Sequence, residues 1–251
     1  MMTLKRCNFD SLFRRSNSVT TLFPFPSIST TSPYSSSNDV SKNKTALTQE
    51  ELTKINLLLP RLCLSNNLTT AIKLTSTALL TNPPPNCLSF SILIHSLTSL
   101  PDMTKSMSLL TILRHTPEAY HHLTPITTML VTSYMRRKRP KEALKVYQWM
   151  LRPGSRCKVE SRLLFGVLVG GLCGVGWVLE GLMVLKDMVC SGFLPGARLR
   201  DKVCRSLLRE ARVREAVELD MAFCCCFEDE NGESAKKVVE YLDSVIRNWT
   251  D

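Results

Sequence analysis

A unit of two amphipathic helices joined by a tight turn recurs five times in this chain. The clearest copy is LLFGVLVGGLCGVGWVLEGLMVLKDMVCSGFLP, residues 163–195. Its apolar residues at 164, 168, 169 and 172 share one helical face, and those at 178, 182, 185 and 188 share another. Gly176 separates the two helices, and Gly192 with Pro195 ends the second, as positions tolerant of left-handed backbone do. Further copies begin at Thr53, Leu88, Pro125 and Arg198, with Leu163 the fourth in order, so the spacings are 35, 37, 38 and 35 residues.

The repeated positions carry a packing logic. The nineteenth residue of each copy is small: Ala71, Ser106, Ala143, Gly181 and Ala216. A small residue early in the second helix lets it approach the first to roughly 8–10 Å. The sixth residue is aliphatic (Leu58, Leu93, Leu130, Leu168, Val203), and the tenth is Leu62, Leu97, Tyr134, Leu172 and Leu207. One helix pair cannot bury both of its faces, so the pairs must stack on one another. The fold expected is all-α: a right-handed superhelical α-solenoid of about five helix-turn-helix repeats. The repeats fall at 53–87, 88–122, 125–159, 163–197 and 198–232, after a linker at 42–52. A C-terminal capping helix is expected in 233–251, with Ser234 as its N-cap and an apolar stripe of Val238, Tyr241, Leu242, Val245 and Trp249. Pro60 falls inside the first helix and is expected to kink or shorten it.

The copies resemble the pentatricopeptide repeat family, a plant-abundant group of organellar RNA-binding proteins. Residues 163–197 carry the likeness most fully: LVGGLCGVG is similar to the family's first-helix run, and MVCSGFLP to its closing run. KEALKVYQWM (141–150) and VREAVELDMAF (213–223) resemble its second helix, and INLLLPRLC (55–63) its first. The resemblance implies single-stranded RNA as partner, read one base per repeat by a polar residue near the start of the first helix and by another just before the next repeat. Those positions are Asn56 with Asn86, Ser91 with His121, and Thr128 with Lys158. An amide such as Asn56 offers both a donor and an acceptor to a base edge. Copy four has Gly166 and Gly196 there, and copy five Asp201 and Asn231.

Charge supports a polyanionic partner independently. The chain of 251 residues has Lys+Arg 32 against Asp+Glu 22, a formal charge of +10. Arg136, Arg137, Lys138, Arg139 and Lys141 are the candidate phosphate contacts, and a second basic tract runs from Arg198 to Arg214. Other RNA-processing proteins are the further partners expected. The alternative on the same solenoid is a protein-interaction scaffold that does not read RNA directly.

Residues 1–41 hold fifteen Ser or Thr, four basic residues and two acids, with no apolar run, so they read as a disordered transit peptide. The early arginines favour the mitochondrion, and the Ser, Thr and Pro content leaves the chloroplast as the alternative. Phosphate-loop, dinucleotide, nucleophile-elbow and zinc-protease motifs are absent, and so is a deaminase HxE with CxxC. No enzyme activity, cofactor or metal is therefore expected. The ten cysteines form no CxxC pair and are expected to be reduced and mostly buried, and His121 and His122 are expected in an inter-repeat loop. Residues 163–179 form an uncharged run of 17, but its five glycines at turn spacing argue against membrane insertion.

Overall fold

The computed structural model describes residues 47–81, 88–155, 157, 161–226 and 233–249, which fall in the compact unit Asn43–Asp251. The expected transit peptide, and Asn86, Lys158 and Asn231, lie outside the described residues. Every regular element among the described residues is helical. Five hairpins follow one another: α1 (Gln49–Leu64) with α2 (Leu68–Leu79), α3 (Ser91–Ser99) with α4 (Thr104–Arg114), α5 (Tyr120–Arg136) with α6 (Pro140–Leu151), α7 (Arg162–Gly174) with α8 (Val178–Cys190), and α9 (Ala197–Arg209) with α10 (Val213–Cys225). A last helix, α11, spans Glu233–Arg247.

The first helices pack consecutively, α1 on α3, α3 on α5, α5 on α7 and α7 on α9, so they form one continuous layer. The small nineteenth residues are buried in all five hairpins. At Gly181 the approach is tightest, because a methyl group there would stand 2.8 Å from Cys173 Sγ. Two hydroxyl pairs in the core cross the repeat boundary, Ser106 Oγ with Tyr134 OH at 2.9 Å and Thr98 Oγ1 with Ser133 Oγ at 2.6 Å, whereas the buried Thr75 Oγ1 has no hydrogen-bond partner among the described residues. Tyr147 OH donates to Asp187 Oδ2 at 2.9 Å between the third and fourth hairpins. Burial pushes the Asp187 carboxyl up to about 6, against the pull of that hydrogen bond.

Four of the five hairpins share one turn. The amides of Asn67, Arg139, Trp177 and Arg212 donate to the carbonyls of Leu62, Tyr134, Leu172 and Leu207 at 2.9–3.0 Å. The residue that precedes each donor has positive φ: Asn66 58°, Lys138 56°, Gly176 84° and Ala211 59°. This is the left-handed helix stop that satisfies orphaned carbonyls, and only Gly176 adopts it without a Cβ penalty. The second hairpin departs from it. There α3 is only nine residues long, and its C-cap, Leu100, is extended just before Pro101.

Several boundaries differ from those the sequence suggests. A capping box between Thr48 and Glu51 starts α1 at Gln49, so residues 49–52 of the expected linker are helical. That helix continues through Pro60 to Leu64, at the loss of one backbone bond rather than of its last turn. A short 3-10 turn, Pro117–Ala119, leads straight into α5, which starts at Tyr120 and carries Pro125 inside it. His121 and His122 therefore stand in the first turn of α5 and not in a loop. His122 is buried there, where desolvation and then the neighbouring His121 lower its pKa. Pro140 takes the first position of α6, where a missing amide costs nothing. Ser234 lies one residue inside α11, which starts at Glu233.

The closing helix buries Val238, Leu242 and Val245 against α8 and α10. A salt bridge from Lys186 to Asp243 (2.6 Å) and the Arg212 guanidinium, 4.2 Å from the centre of the Trp249 ring, fix its position. Among the described residues, no helix is long and apolar enough to cross a membrane. Cys63, Cys173 and Cys226 are buried, whereas Cys190, Cys224 and Cys225 are exposed, so the cysteines do not all serve the core.

Two stability measurements check this packing. Ala211→Gly relieves a left-handed alanine and should raise the free energy of unfolding in urea by about 1 kcal/mol. Gly181→Val should lower it by about 2 kcal/mol, because the added carbons meet a sulfur with no room to move. Combined with Cys173→Ala, that loss should be smaller than the sum of the two single losses.

Candidate nucleic-acid interface

The layer of first helices brings Asn56, Ser91, Thr128, Gly166 and Asp201 into one series, two residues before the aliphatic sixth position of each repeat. Their side chains differ in what they already touch. Asn56 Oδ1 accepts from the Ser89 amide at 3.1 Å, so it ties the first repeat to the start of the second. Ser91 is exposed at the first residue of α3, with its Oγ 3.3 Å from Ser89 Oγ. Thr128 Oγ1 donates back to the Thr124 carbonyl at 2.8 Å. Asp201 is held by Arg205, whose guanidinium keeps the carboxyl below its usual range. His121 is exposed at the second residue of α5, with its ring 4.1 Å from that of His122. Asn86 and Lys158, the partners expected for Asn56 and Thr128, lie outside the described residues.

The five candidate phosphate contacts separate into two groups. Arg136, Lys138 and Lys141 are exposed at the end of α5, in its turn and at the start of α6. Arg137 and Arg139 reach inward to the C-terminal end of α3. Arg139 Nη1 donates to the carbonyls of Thr98 (3.0 Å) and Leu100, and its Nη2 to the carbonyl of Pro101 (2.9 Å) and to Glu142 Oε1 (2.9 Å). Its guanidinium also lies 5.1 Å from the centre of the Tyr134 ring. Arg137 Nη2 donates to Ser99 Oγ (2.6 Å) and His95 O (3.3 Å), and it rests 3.0 Å from His95 Nε2.

The physical reason is the short α3. A helix end leaves carbonyls without amide partners and a partial negative charge, and a planar fork of donors answers both. The sequence carried a signal for this role. Arg139 and Glu142 of the third repeat recur in the fifth as Arg212 and Glu215, also three residues apart and also ion-paired. Arg212 likewise donates to the end carbonyls of a helix, those of Asn248 and Trp249 after α11.

The second basic tract divides in the same way. Arg205 pairs with Asp201 and Arg214 with Glu218 along their own helices, and Arg212 is used as described. Arg198, Lys202 and Arg209 are exposed. Lys202 lies along the glycines of α7, its Nζ 3.3 Å from where a methyl on Gly174 would stand. Among the described residues, no group of three or more His, Cys, Asp or Glu side chains could hold a metal ion.

Arg139→Ala should lower the free energy of unfolding by about 2 kcal/mol, because it strips charged donors from three carbonyls. Arg139→Lys should recover little, since an ammonium cannot span the fork. Arg136→Ala, on the exposed side of the same segment, should change stability by no more than about 0.5 kcal/mol. Urea unfolding followed by circular dichroism separates the two classes.

No curated protein matches the chain. The family model of the PPR repeat matches residues 164–193, the hairpin of α7 and α8 with its closing turn, and this match supports the pentatricopeptide repeat family for the chain.

Proposed function

We propose that the chain binds single-stranded RNA along its layer of first helices. In this reading it is an organellar helical-repeat protein that assists the splicing, stability or translation of transcripts. The observation that carries this reading is the repeat match over residues 164–193, since a PPR repeat points generally to an RNA-binding helical-repeat protein. The exposed cations Arg136, Lys138 and Lys141, with Arg198, Lys202 and Arg209 on the fifth repeat, supply the sequence-independent attraction to phosphate. Base discrimination rests on few groups: the amide of Asn56, the hydroxyls of Ser91 and Thr128, and the exposed ring of His121. A strand held this way is kept from pairing with competing RNA and from nucleases, which requires no bond-making step. The acid-poor, Ser- and Thr-rich residues 1–41 support delivery to the mitochondrion, with the chloroplast as the alternative.

The reading is tested with the purified full chain and a single-stranded RNA in filter binding across a salt series. Log affinity should fall linearly with log salt. The triple variant Arg136→Ala/Lys138→Ala/Lys141→Ala should flatten the slope by about 2, at roughly 0.7 for each phosphate no longer neutralised. Affinity indifferent to salt, or none at all, refutes RNA binding and leaves the protein-scaffold reading. In cells, crosslinking of the tagged chain should recover organellar transcripts.

A further inference from the structure

The last hairpin, α9 with α10, presents exposed apolar side chains. Between α9 and α10 runs a groove of about 350 Å³, whose lining combines Ala197, Cys204, Leu208, Ala216, Val217 and Met221 with the charged Arg200, Asp201 and Asp220. Leu208, Val213 and Val217 on these two helices are 48%, 57% and 53% exposed. Their counterparts 35 residues earlier, Cys173, Val178 and Leu182, are 0%, 3% and 0% exposed. What differs is the neighbour. The groove between α7 and α8 receives the next first helix, α9, and Ser206 Oγ fastens it by donating to the Cys173 carbonyl at 3.1 Å. Among the described residues no helix takes the equivalent place between α9 and α10, because α11 turns aside to pack on α8 and α10.

The opposite end has the complementary defect. The aliphatic sixth residue of a repeat is the knob that faces the preceding repeat. Leu93, Leu130, Leu168 and Val203 are exposed by 1% or less, whereas Leu58 on α1 is 47% exposed. Leu64, further along α1, is 84% exposed. One end thus presents a knob of the type that the other end's groove accepts inside the chain.

Charge favours the same pairing. Gly196 lies seven residues before Val203, and a methyl on it would stand 3.3 Å from Arg162 Nη2. Seven residues before Leu58 is Glu51, and one repeat beyond Arg162 is Ala197, beside Arg198. If Leu58 sits where a sixth residue normally sits, the acidic first turn of α1, with Glu50 and Glu51, meets the basic first turn of α9, with Arg198 and Arg200.

We propose that the chain associates head to tail with a second copy of itself, α1 of one copy filling the α9–α10 groove of the other. Such an interface is heterologous, so it does not close after two copies but continues the stack. Each added copy lengthens the layer of first helices by five repeats. The interface stands on apolar and charged side chains alone and does not depend on RNA.

The test is sedimentation of the nuclease-treated full chain over a range of concentrations. The wild type should form dimers and larger species as concentration rises. A groove variant, Leu208→Glu/Val217→Glu, and a knob variant, Leu58→Glu, should each sediment as monomers, with association weakened at least tenfold. Mixed in equal amounts, they should form a two-chain species and nothing larger, because one retains an intact groove and the other an intact knob. A wild type that stays monomeric throughout overturns the proposal. So does a knob variant that still dimerises while the groove variant does not, which would mean a two-fold contact of groove on groove. All three substitutions are at exposed positions, and thermal melting checks that each variant is folded. Val217→Ser, polar and smaller, replaces the groove variant if the double glutamate melts early, and it should show the same loss of association.

Discussion

The structure depends on the contact between one helical hairpin and the next. A hairpin of 13-residue helices such as α7 and α8 has apolar residues on both broad sides: Leu168 and Val169 on the first helix, Leu182 and Leu185 on the second. Its own partner helix can cover only part of this surface. The rest is removed from water only when α5 packs on one side and α9 on the other. The small nineteenth residue matters for this reason. It brings the two helices of a hairpin close enough that neighbouring hairpins see one continuous surface rather than two separate rods. Gly181 against Cys173 is the extreme case, and the alanines and the serine at the same position reach the same end with a methyl or hydroxymethyl group.

Cross-repeat polar contacts then fix the register that apolar packing alone leaves loose. Ser106 with Tyr134, Thr98 with Ser133, and Tyr147 with Asp187 each join one repeat to its successor. Arg139 does the same with charge, reaching back from the α5–α6 turn to the carbonyl end of α3. This divides the basic residues of the chain by task. Those facing a helix end hold the stack together, Arg205 and Arg214 pair with acids on their own helices, and Arg136, Lys138 and Lys141 face solvent. A net positive charge summed over the sequence merges these groups, and only the location of helix ends and of neighbouring acids separates them.

How much of this was legible in the sequence follows from how local each signal is. The five hairpins, the small nineteenth residues and the sixth and tenth positions, buried from the second repeat onward, depend on spacing along one helix, and spacing is written directly in the chain. The all-helical architecture followed from it, and the repeat match falls on the copy whose glycines and closing proline were most regular. Pro125 suggests a boundary for α5, whereas burial of His122 and Leu123 extends the helix upstream through a 3-10 turn. Pro60 does not end its helix either: one missing backbone bond is a small loss beside the burial of Leu59 and Cys63 on either side of it. The inward arginines are hidden for a different reason. The carbonyls that Arg139 reaches are about 40 residues away, and the one local mark of such an arginine is its spacing to a glutamate, Arg139 with Glu142 and Arg212 with Glu215.

The position of α11 links these observations to the ends of the stack. An additional helix placed in line on α9 would bury Leu208 and Val217 and stop the repeat. Packed instead on α8 and α10, α11 covers the layer of second helices, and among the described residues no helix follows α9 in the layer of first helices. Its own polar contacts hold it there: Lys186 binds Asp243, Tyr241 donates to the Glu215 carbonyl, and Arg212 closes the C-terminal carbonyls. Moving it onto α9 would break all three and would expose Val238, Leu242 and Val245. The helix is therefore committed to α8 and α10, and among the described residues Leu208, Val213 and Val217 on α9 and α10 stay exposed.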